Sequence, residues 1–367
     1  MPEPVLFGCV GGFLGAGKTT ALAAAARELA ARGRRVGLVA NDQGQDLVDT
    51  AVFRGLGLPA AEVAGGCFCC RFDDLLAEAD RLLADRRVDV LLAEAVGSCT
   101  DLVATVYRPL RRLHPGRFRL SPLSVLVEPS RLEEMAGAGV PQDVSYIFGR
   151  QLAEADLVVL SKVDRLPRDE RVATQRSLKR LAGDASILEL SAASGEGVSA
   201  WVDRLLGGEG LSDRELDVDY DAYARGEAAL AWLNASVEVQ APQPVEPRAV
   251  GEALVGEIRQ RSRRARLLLP HVKTLVAAGG RSARIALTRT EGEARWEGDA
   301  ELPAATGFEA IVNARAVAQP EAFRTLVEDA VAAAAKGLGA SLAIMRLECF
   351  SPARPVPRYR FSGPAGS

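Results

Sequence analysis

Histidine is nearly absent from this chain of 367 residues: only His114 and His271 occur, so no histidine tract exists to buffer a metal. Long uncharged apolar runs are missing too, and none reaches the roughly 20 residues a bilayer-spanning helix needs. The opening Met1-Pro2-Glu3-Pro4, followed by a short apolar strand, lacks the basic and apolar regions of an export signal, so the expected compartment is the cytoplasm and no membrane partner is expected. Charge of one sign is also lacking. A net charge of -3 and a pI near 5.7 give no global electrostatic reason to expect nucleic acid as a partner. Cysteine is scarce, with six residues, yet Cys67, Cys69 and Cys70 fall within four positions. Such crowding argues against a disulfide framework and for a metal or redox site.

What is present begins with a glycine loop. Gly12-Phe13-Leu14-Gly15-Ala16-Gly17-Lys18-Thr19 fits the phosphate-loop pattern Gly-x-x-x-x-Gly-Lys-Thr, directly after the apolar run Val5 to Val10 and before the Ala-rich helical segment Thr20 to Arg32. Glycines let such a loop wrap an anion with its amides pointing inward, and the helix N-terminus adds partial positive charge. Lys18 neutralises phosphate charge in this reading, and the Thr19 hydroxyl offers an oxygen to Mg²⁺. The match implies a nucleotide binder.

Composition and pattern imply two domains. At 48% hydrophobic the chain can fill packed cores. Short apolar runs alternate with helical spacing up to about Leu206, predicting an α/β fold with a doubly wound, mostly parallel sheet over residues 1–210. Its strands are expected at Val5 to Val10, Val36 to Ala40, Val88 to Glu94, Leu123 to Val127, Leu157 to Leu160 and Ile187 to Leu190. Residues 211–227 read as an acidic linker, with Asp213, Glu215, Asp217, Asp219 and Asp221 in alternation. A second, smaller α+β domain is expected over 228–352, with two helices on one face of an antiparallel sheet. Residues 353–367 read as a frayed tail because of their prolines.

The remaining nucleotide residues follow from strand ends. The strand closing at Glu94 places a carboxylate where it can reach Mg²⁺ directly or through water, and Gly97 follows, where a backbone N–H could approach the γ-phosphate; a solvated glutamate is the plain alternative. Ser161-Lys162-Val163-Asp164 ends another strand. An Asp at that spacing can accept from the ring N–H and exocyclic amine of guanine while the Lys stem lies over the base. Ser191-Ala192 matches the loop that completes a guanine pocket, so GTP is favoured over ATP. Asp42, in Asn41-Asp42-Gln43-Gly44, stands where it could hold Mg²⁺ or orient an attacking water, with a simple polar turn as the competing reading.

Gly65-Gly66-Cys67-Phe68-Cys69-Cys70 places three thiols within reach of one soft cation, provided that the segment is a loop. Zn²⁺ leads, with Cu(I) or another thiophilic ion as alternatives. The fourth position is open to Glu62, water or a partner's donor. A redox thiol cluster or buried small side chains remain the plain alternatives. Cys99 reads as a packed thiol, and Cys9 and Cys349 as buried strand residues. Arg259, Arg261, Arg263, Arg264 and Arg266 read as a solvated helix end that complements the helix dipole.

In this order, the loop Gly12 to Thr20, the Gly-Cys-x-Cys-Cys cluster, Glu94-x-x-Gly97 and Lys162-x-Asp164 resemble the CobW-type GTPases, relatives of the HypB and UreG metallochaperones. The resemblance covers about Val5 to Leu206, and the second half resembles the family's smaller domain in its pattern of elements. It implies slow GTP hydrolysis coupled to loading or delivering a metal, commonly zinc or cobalt, to a client metalloprotein or metal-cofactor pathway, with a homo-oligomer compatible. By position, Cys67, Cys69 and Cys70 look like metal ligands, Gly12, Gly15, Ala16, Gly17, Lys18, Thr19 and Thr20 with Glu94 like the Mg-GTP site, and Lys18, Asp42 and Glu94 like the hydrolytic residues. Departures are Ser161 in place of the usual Asn, Ala95 and Val96 in place of hydroxyl residues, and the missing histidine tract. A nucleotide-gated redox switch and an ATP-dependent kinase are the alternative functions.

Overall fold

A computed structural model describes residues 3–43, 53, 57–86, 88–137, 139–208, 216–298 and 301–363. Of these, residues up to 226 together with 354–363 form one compact unit, and residues 227–353 form another.

The first unit is the expected parallel sheet. Strands β1 (Val5–Gly11), β2 (Val36–Asn41), β3 (Ala60–Val63), β4 (Val90–Glu94), β6 (Ser124–Val127), β7 (Leu157–Ser161) and β8 (Ser186–Leu190) lie in the order β3-β2-β4-β1-β6-β7-β8, while β5 (Phe118–Leu120) pairs with β1. All of these pairings are parallel. Consequently every loop that leaves a strand's carboxyl end emerges at the same edge, which is where ligands bind in such sheets. Helices α1 (Lys18–Ala31), α2 (Phe72–Arg86), α3 (Arg108–Leu113), α4 (Pro129–Ala136), α5 (Gln142–Glu154) and α6 (Arg168–Ala182) lie in the connections between strands, and α7 (Val198–Gly207) follows β8. On one face Leu22 and Leu29 of α1 meet Trp201 and Leu205 of α7 over Leu38, Leu92 and Val159. The central strands are wholly buried, which explains their unbroken apolar runs.

A π turn at Val103–Tyr107 leads into α3. Two differences from the sequence-based expectations in this unit have physical causes. The described part of the expected linker contains α8 (Tyr220–Ala228): Asp219 caps it by accepting from the amides of Asp221 and Ala222, and Tyr223 buries its ring. Residues 211–215 of that linker lie outside the described residues. Finally, residues 354–363 have no helix or strand, as their prolines require, but they are bound rather than frayed. The Arg358 amide donates to the Cys69 carbonyl at 2.8 Å and the Phe361 amide to the Ala104 carbonyl at 3.0 Å. Tyr359 packs edge-on against Phe72, with ring centroids 5.5 Å apart.

The second unit is the expected α+β sandwich. Strands β9 (Leu230–Val245), β10 (His271–Ala278), β11 (Arg281–Leu287), β12 (Arg295–Gly298), β13 (Ala305–Val317) and β14 (Ser341–Phe350) form one antiparallel sheet in the order β12-β11-β10-β13-β9-β14. Helices α9 (Pro247–Arg264) and α10 (Pro320–Leu338) send Leu254, Ile258, Phe323 and Val327 into the core over Leu233, Val237 and Val312. Cys349 is half-buried rather than buried, because β14 is the last strand of the sheet. No helix among the described residues is long and apolar enough to cross a membrane.

Candidate nucleotide and metal site

The phosphate loop is held open by its glycines. Gly12 has φ 127°, and a Cβ there would lie 2.3 Å from the Leu126 carbonyl oxygen, so only glycine fits. Gly15 has φ 82°, and Gly17 caps α1 in the left-handed conformation at φ 89°. Lys18 is buried and its Nζ donates to the Gly12 carbonyl at 2.8 Å, closing the loop on itself. The Thr19 hydroxyl donates to Glu94 Oε1 at 3.0 Å. Both are buried, and Glu94 pairs with Val10 across β1 and β4, which sets the carboxylate beside the start of the loop. A hydroxyl and a carboxylate together at a helix N-terminus are oxygen donors that suit a small hard cation.

The expected base side braces the same loop. The Ser161 hydroxyl donates to the Ala16 carbonyl at 2.8 Å, and Lys162, itself left-handed at φ 56°, sends Nζ to the Gly15 carbonyl at 2.8 Å. Asp164 is exposed in a single 3-10 turn over Val163–Arg165. Ser191 and Ala192 follow β8, the strand beside β7, so they emerge at the same edge as Lys162 and Asp164. Thr20 is half-buried in the first turn of α1. Asp42 follows β2, and its amide donates to the Val63 carbonyl at 3.2 Å. Gly44, the last residue of its motif, lies outside the described residues.

The cysteine segment is a turn, as a shared metal requires. The amides of Cys70 and Arg71 both donate to the Cys67 carbonyl, at 3.0 and 2.9 Å. Sequence reading missed the residue that shapes this loop. Buried Asn41 donates to the carbonyls of Val63 and Gly66 at 2.8 and 2.7 Å and accepts from the Phe68 amide at 2.8 Å. Cys67 Sγ lies 2.8 Å from Cys69 Sγ and 3.4 Å from Cys70 Sγ. Cys69 Sγ lies 3.7 Å from Cys70 Sγ.

Cys99, expected as a packed thiol, is buried but belongs to this cluster. Its sulfur, with those of Cys67 and Cys69, forms a set whose members all lie within 4.8 Å of one another, whereas Glu62 is not in that set. Hydrogen bonds from Cys67 and then Cys69 hold the Cys99 thiol below the usual thiol range. The Cys67 hydrogen bond is the first cause that pushes Cys70 up to about 11. Cys70 is the half-exposed member, and the Val356 amide donates to its sulfur at 3.3 Å.

The loop after β4 is fixed from several sides. Gln151 of α5 donates to the carbonyls of Gly97 and Cys99 at 3.0 and 2.9 Å. Thr100 donates its hydroxyl to Glu154 Oε1 at 3.0 Å and its amide to the Tyr223 hydroxyl at 3.2 Å. Burial, reinforced by the Asp101 charge, pushes the Glu154 carboxyl up to about 8. Asp101 accepts from Tyr220 and from Arg360 of the terminal segment, each at 2.7 Å. Of the arginine cluster, Arg259, Arg261, Arg263 and Arg264 lie toward the end of α9, where Arg261 pairs with Glu257 and Arg263 with Glu291, and Arg266 follows the helix.

Comparison with known proteins places this geometry in a family. Residues 7–189 match the family model described as CobW/HypB/UreG, nucleotide-binding domain. The chain is 30% identical over 186 residues to the zinc chaperone YeiR of Escherichia coli (strain K12), covering 48% of this chain and 52% of that protein. It is 29% identical over 221 residues to the zinc chaperone CobW of Pseudomonas aeruginosa, covering 51% and 56%. The chain thus spans about half the length of the curated relatives it matches. Among solved structures it is similar to the Zn(II)-bound YjiA GTPase from E. coli, at 16% identity and a TM-score of 0.37, covering 92% of this chain and 99% of that one.

Proposed function

Residues 7–189 belong to the CobW/HypB/UreG nucleotide-binding family, and from that premise we propose that the protein binds and hydrolyses GTP and couples its nucleotide state to carrying a thiophilic metal to a client. One observation supports this most: the Thr19–Glu94 pair lies at the carboxyl ends of β1 and β4 and the thiol cluster at those of β3 and β4, all on one edge of the sheet, and the single loop after β4 reaches both. The zinc chaperones it is similar to make zinc the first cargo to consider, with cobalt the next.

The nucleotide steps follow from the loop. The amides from Gly12 to Thr19 receive the phosphates, and Lys18 exchanges the Gly12 carbonyl for phosphate oxygen. Thr19 and Glu94 would hold Mg²⁺, which supplies charge neutralisation to the phosphates when bound. Asp164 accepts from guanine while the Lys162 stem covers the base. Asp42 or Glu94 orients water, and catalysis rests on positioning and charge stabilisation at Lys18 and the loop amides. The cargo is held by thiolates of Cys67, Cys69 and Cys70 and passes to a client metalloprotein or cofactor pathway by exchange of those ligands.

The test is a Zn²⁺ titration against a competing chelator, with and without a non-hydrolysable GTP analogue, in the wild type and in Cys69→Ser. Zinc affinity is expected to depend on the analogue in the wild type and to fall in the variant. Equal affinity in all four conditions refutes the proposal.

A further inference from the structure

The nucleotide and thiol sites are joined by a stretch of only six residues. Glu94 touches Thr19 at one end, and Cys99 joins Cys67 and Cys69 at the other. Between them the Ala95 amide donates to the Val10 carbonyl at 3.0 Å, which keeps the stretch against β1. Gly97 lies against the phosphate loop: a Cβ there would stand 2.5 Å from Leu14 Cδ2 and 3.1 Å from the Leu14 amide nitrogen. Gln151 holds the carbonyls of Gly97 and Cys99 with one amide group, so the two residues are tied to each other. A displacement of Leu14 or Gly97 is thereby passed to Cys99.

The thiol set also fits a soft metal. Tetrahedral zinc with Zn–S bonds of about 2.3 Å spaces its sulfurs roughly 3.8 Å apart. Cys67, Cys69 and Cys99 lie within 4.8 Å of one another in a buried site, so small adjustments suffice. Two of these thiols come from the loop after β3 and the third from the loop after β4, with β2 between those strands. A ligand set that spans two loops binds a metal tightly only when the loops keep their register. Cys70 flanks Cys67 and Cys69 from the half-exposed side, where a ligand can be exchanged.

We propose that Cys99 is a ligand of the carried metal and that its loop transmits the state of the nucleotide to the thiol cluster. The inference rests on the proposed function, since it assumes that the cluster binds a metal and that the phosphate loop binds a nucleotide. Gln151 is the positioning residue: it touches neither ligand and acts by tying Gly97 to Cys99.

The experiment measures Zn²⁺ affinity with and without the non-hydrolysable GTP analogue, and the number of sulfur ligands by zinc X-ray absorption, in the wild type, Cys99→Ser, Cys99→Ala and Gln151→Ala. Thermal unfolding identifies the variants that fold. In both Cys99 variants one sulfur is lost from the zinc shell, affinity falls at least tenfold, and the effect of the analogue disappears. In Gln151→Ala the sulfur count stays and the effect of the analogue weakens, which a purely structural loss would not produce. If the Cys99 variants keep the wild-type sulfur count and the wild-type response to the analogue, Cys99 is a packed thiol and the inference is overturned while the parent function stands. If the wild type itself binds no zinc, the parent function falls and the inference with it.

Discussion

Replacing Gly12 by alanine sets a methyl carbon 2.3 Å from the Leu126 carbonyl oxygen and 2.9 Å from the Leu126 amide nitrogen, in a backbone at φ 127°. Neither obstacle is a flexible side-chain end. Both are backbone atoms of β6, a wholly buried strand, so relief must come from moving the phosphate loop. Holding an L-residue in such a backbone region costs about 1–3 kcal/mol, and forcing a methyl group into packed surroundings adds typically about 1–3 kcal/mol. A combined cost near 3 kcal/mol corresponds to more than about a hundredfold in nucleotide affinity if the loop escapes by leaving its binding conformation. Gly33→Ala is the control. Gly33 also has positive φ, 77°, but a Cβ there meets nothing within 4 Å. It should cost about 1–2 kcal/mol of stability and leave nucleotide binding intact. The assay is titration of a fluorescent GTP analogue with both variants and the wild type, alongside thermal unfolding. Gly12→Ala binding within threefold of wild type would refute the geometric argument, as would an equal loss in Gly33→Ala.

Other perturbations follow from the same geometry. Glu154, raised from 4.5 to about 8 by burial, favours the protonated folded state, so its stabilising contribution is complete below about pH 4.5 and is lost as pH rises through 8. A shift of that size corresponds to about 5 kcal/mol at 1.36 kcal/mol per pH unit. In urea unfolding Glu154→Gln should therefore gain on the wild type between pH 5 and 8, and parallel pH profiles would count against the buried acid. Asp164→Ala should lose most of its preference for GTP over ATP in competition binding, and unchanged discrimination would remove the guanine assignment. Ending the chain at Ala353 removes the Val356 amide from Cys70, the Arg358 amide from the Cys69 carbonyl and Arg360 from Asp101. Cys70 should then be alkylated several times faster, as read by mass spectrometry, and an unchanged rate would mean that the terminal segment does not shield it.

Strong local signals made the first unit's sheet legible. Buried parallel strands must be apolar along nearly their whole length, and the runs in β1, β2, β4, β6, β7 and β8 announce themselves in that way. β5 escaped because it is only 3 residues long, and β3 because Glu62 interrupts its 4 residues, whereas the equally short β6 ends in the unbroken run Val125 to Val127. The phosphate loop was legible because its glycines are forced by backbone geometry at Gly12 and Gly17. The membership of Cys99 was not, because it depends on β2 lying between β3 and β4, and strand order is a long-range property. The role of Asn41 was not legible, because the Asn41-Asp42-Gln43-Gly44 motif draws attention to Asp42; its position directly at the end of an apolar strand was the available signal. The terminal segment misled through its prolines, which forbid regular structure but not binding. Its alternation Arg358, Tyr359, Arg360, Phe361 carried the signal, since the arginines pair with Asp73 and Asp101 while the rings of Tyr359 and Phe361 stack on each other.

The central claim is that nucleotide and metal share one free-energy coupling, and coupling between binding sites is reciprocal. The most direct measurement is the affinity of the non-hydrolysable GTP analogue, with Mg²⁺ present, in the absence and presence of saturating Zn²⁺. The account predicts that zinc changes nucleotide affinity by the same factor by which the analogue changes zinc affinity. Zinc held by the thiol cluster with no change in nucleotide affinity would contradict it.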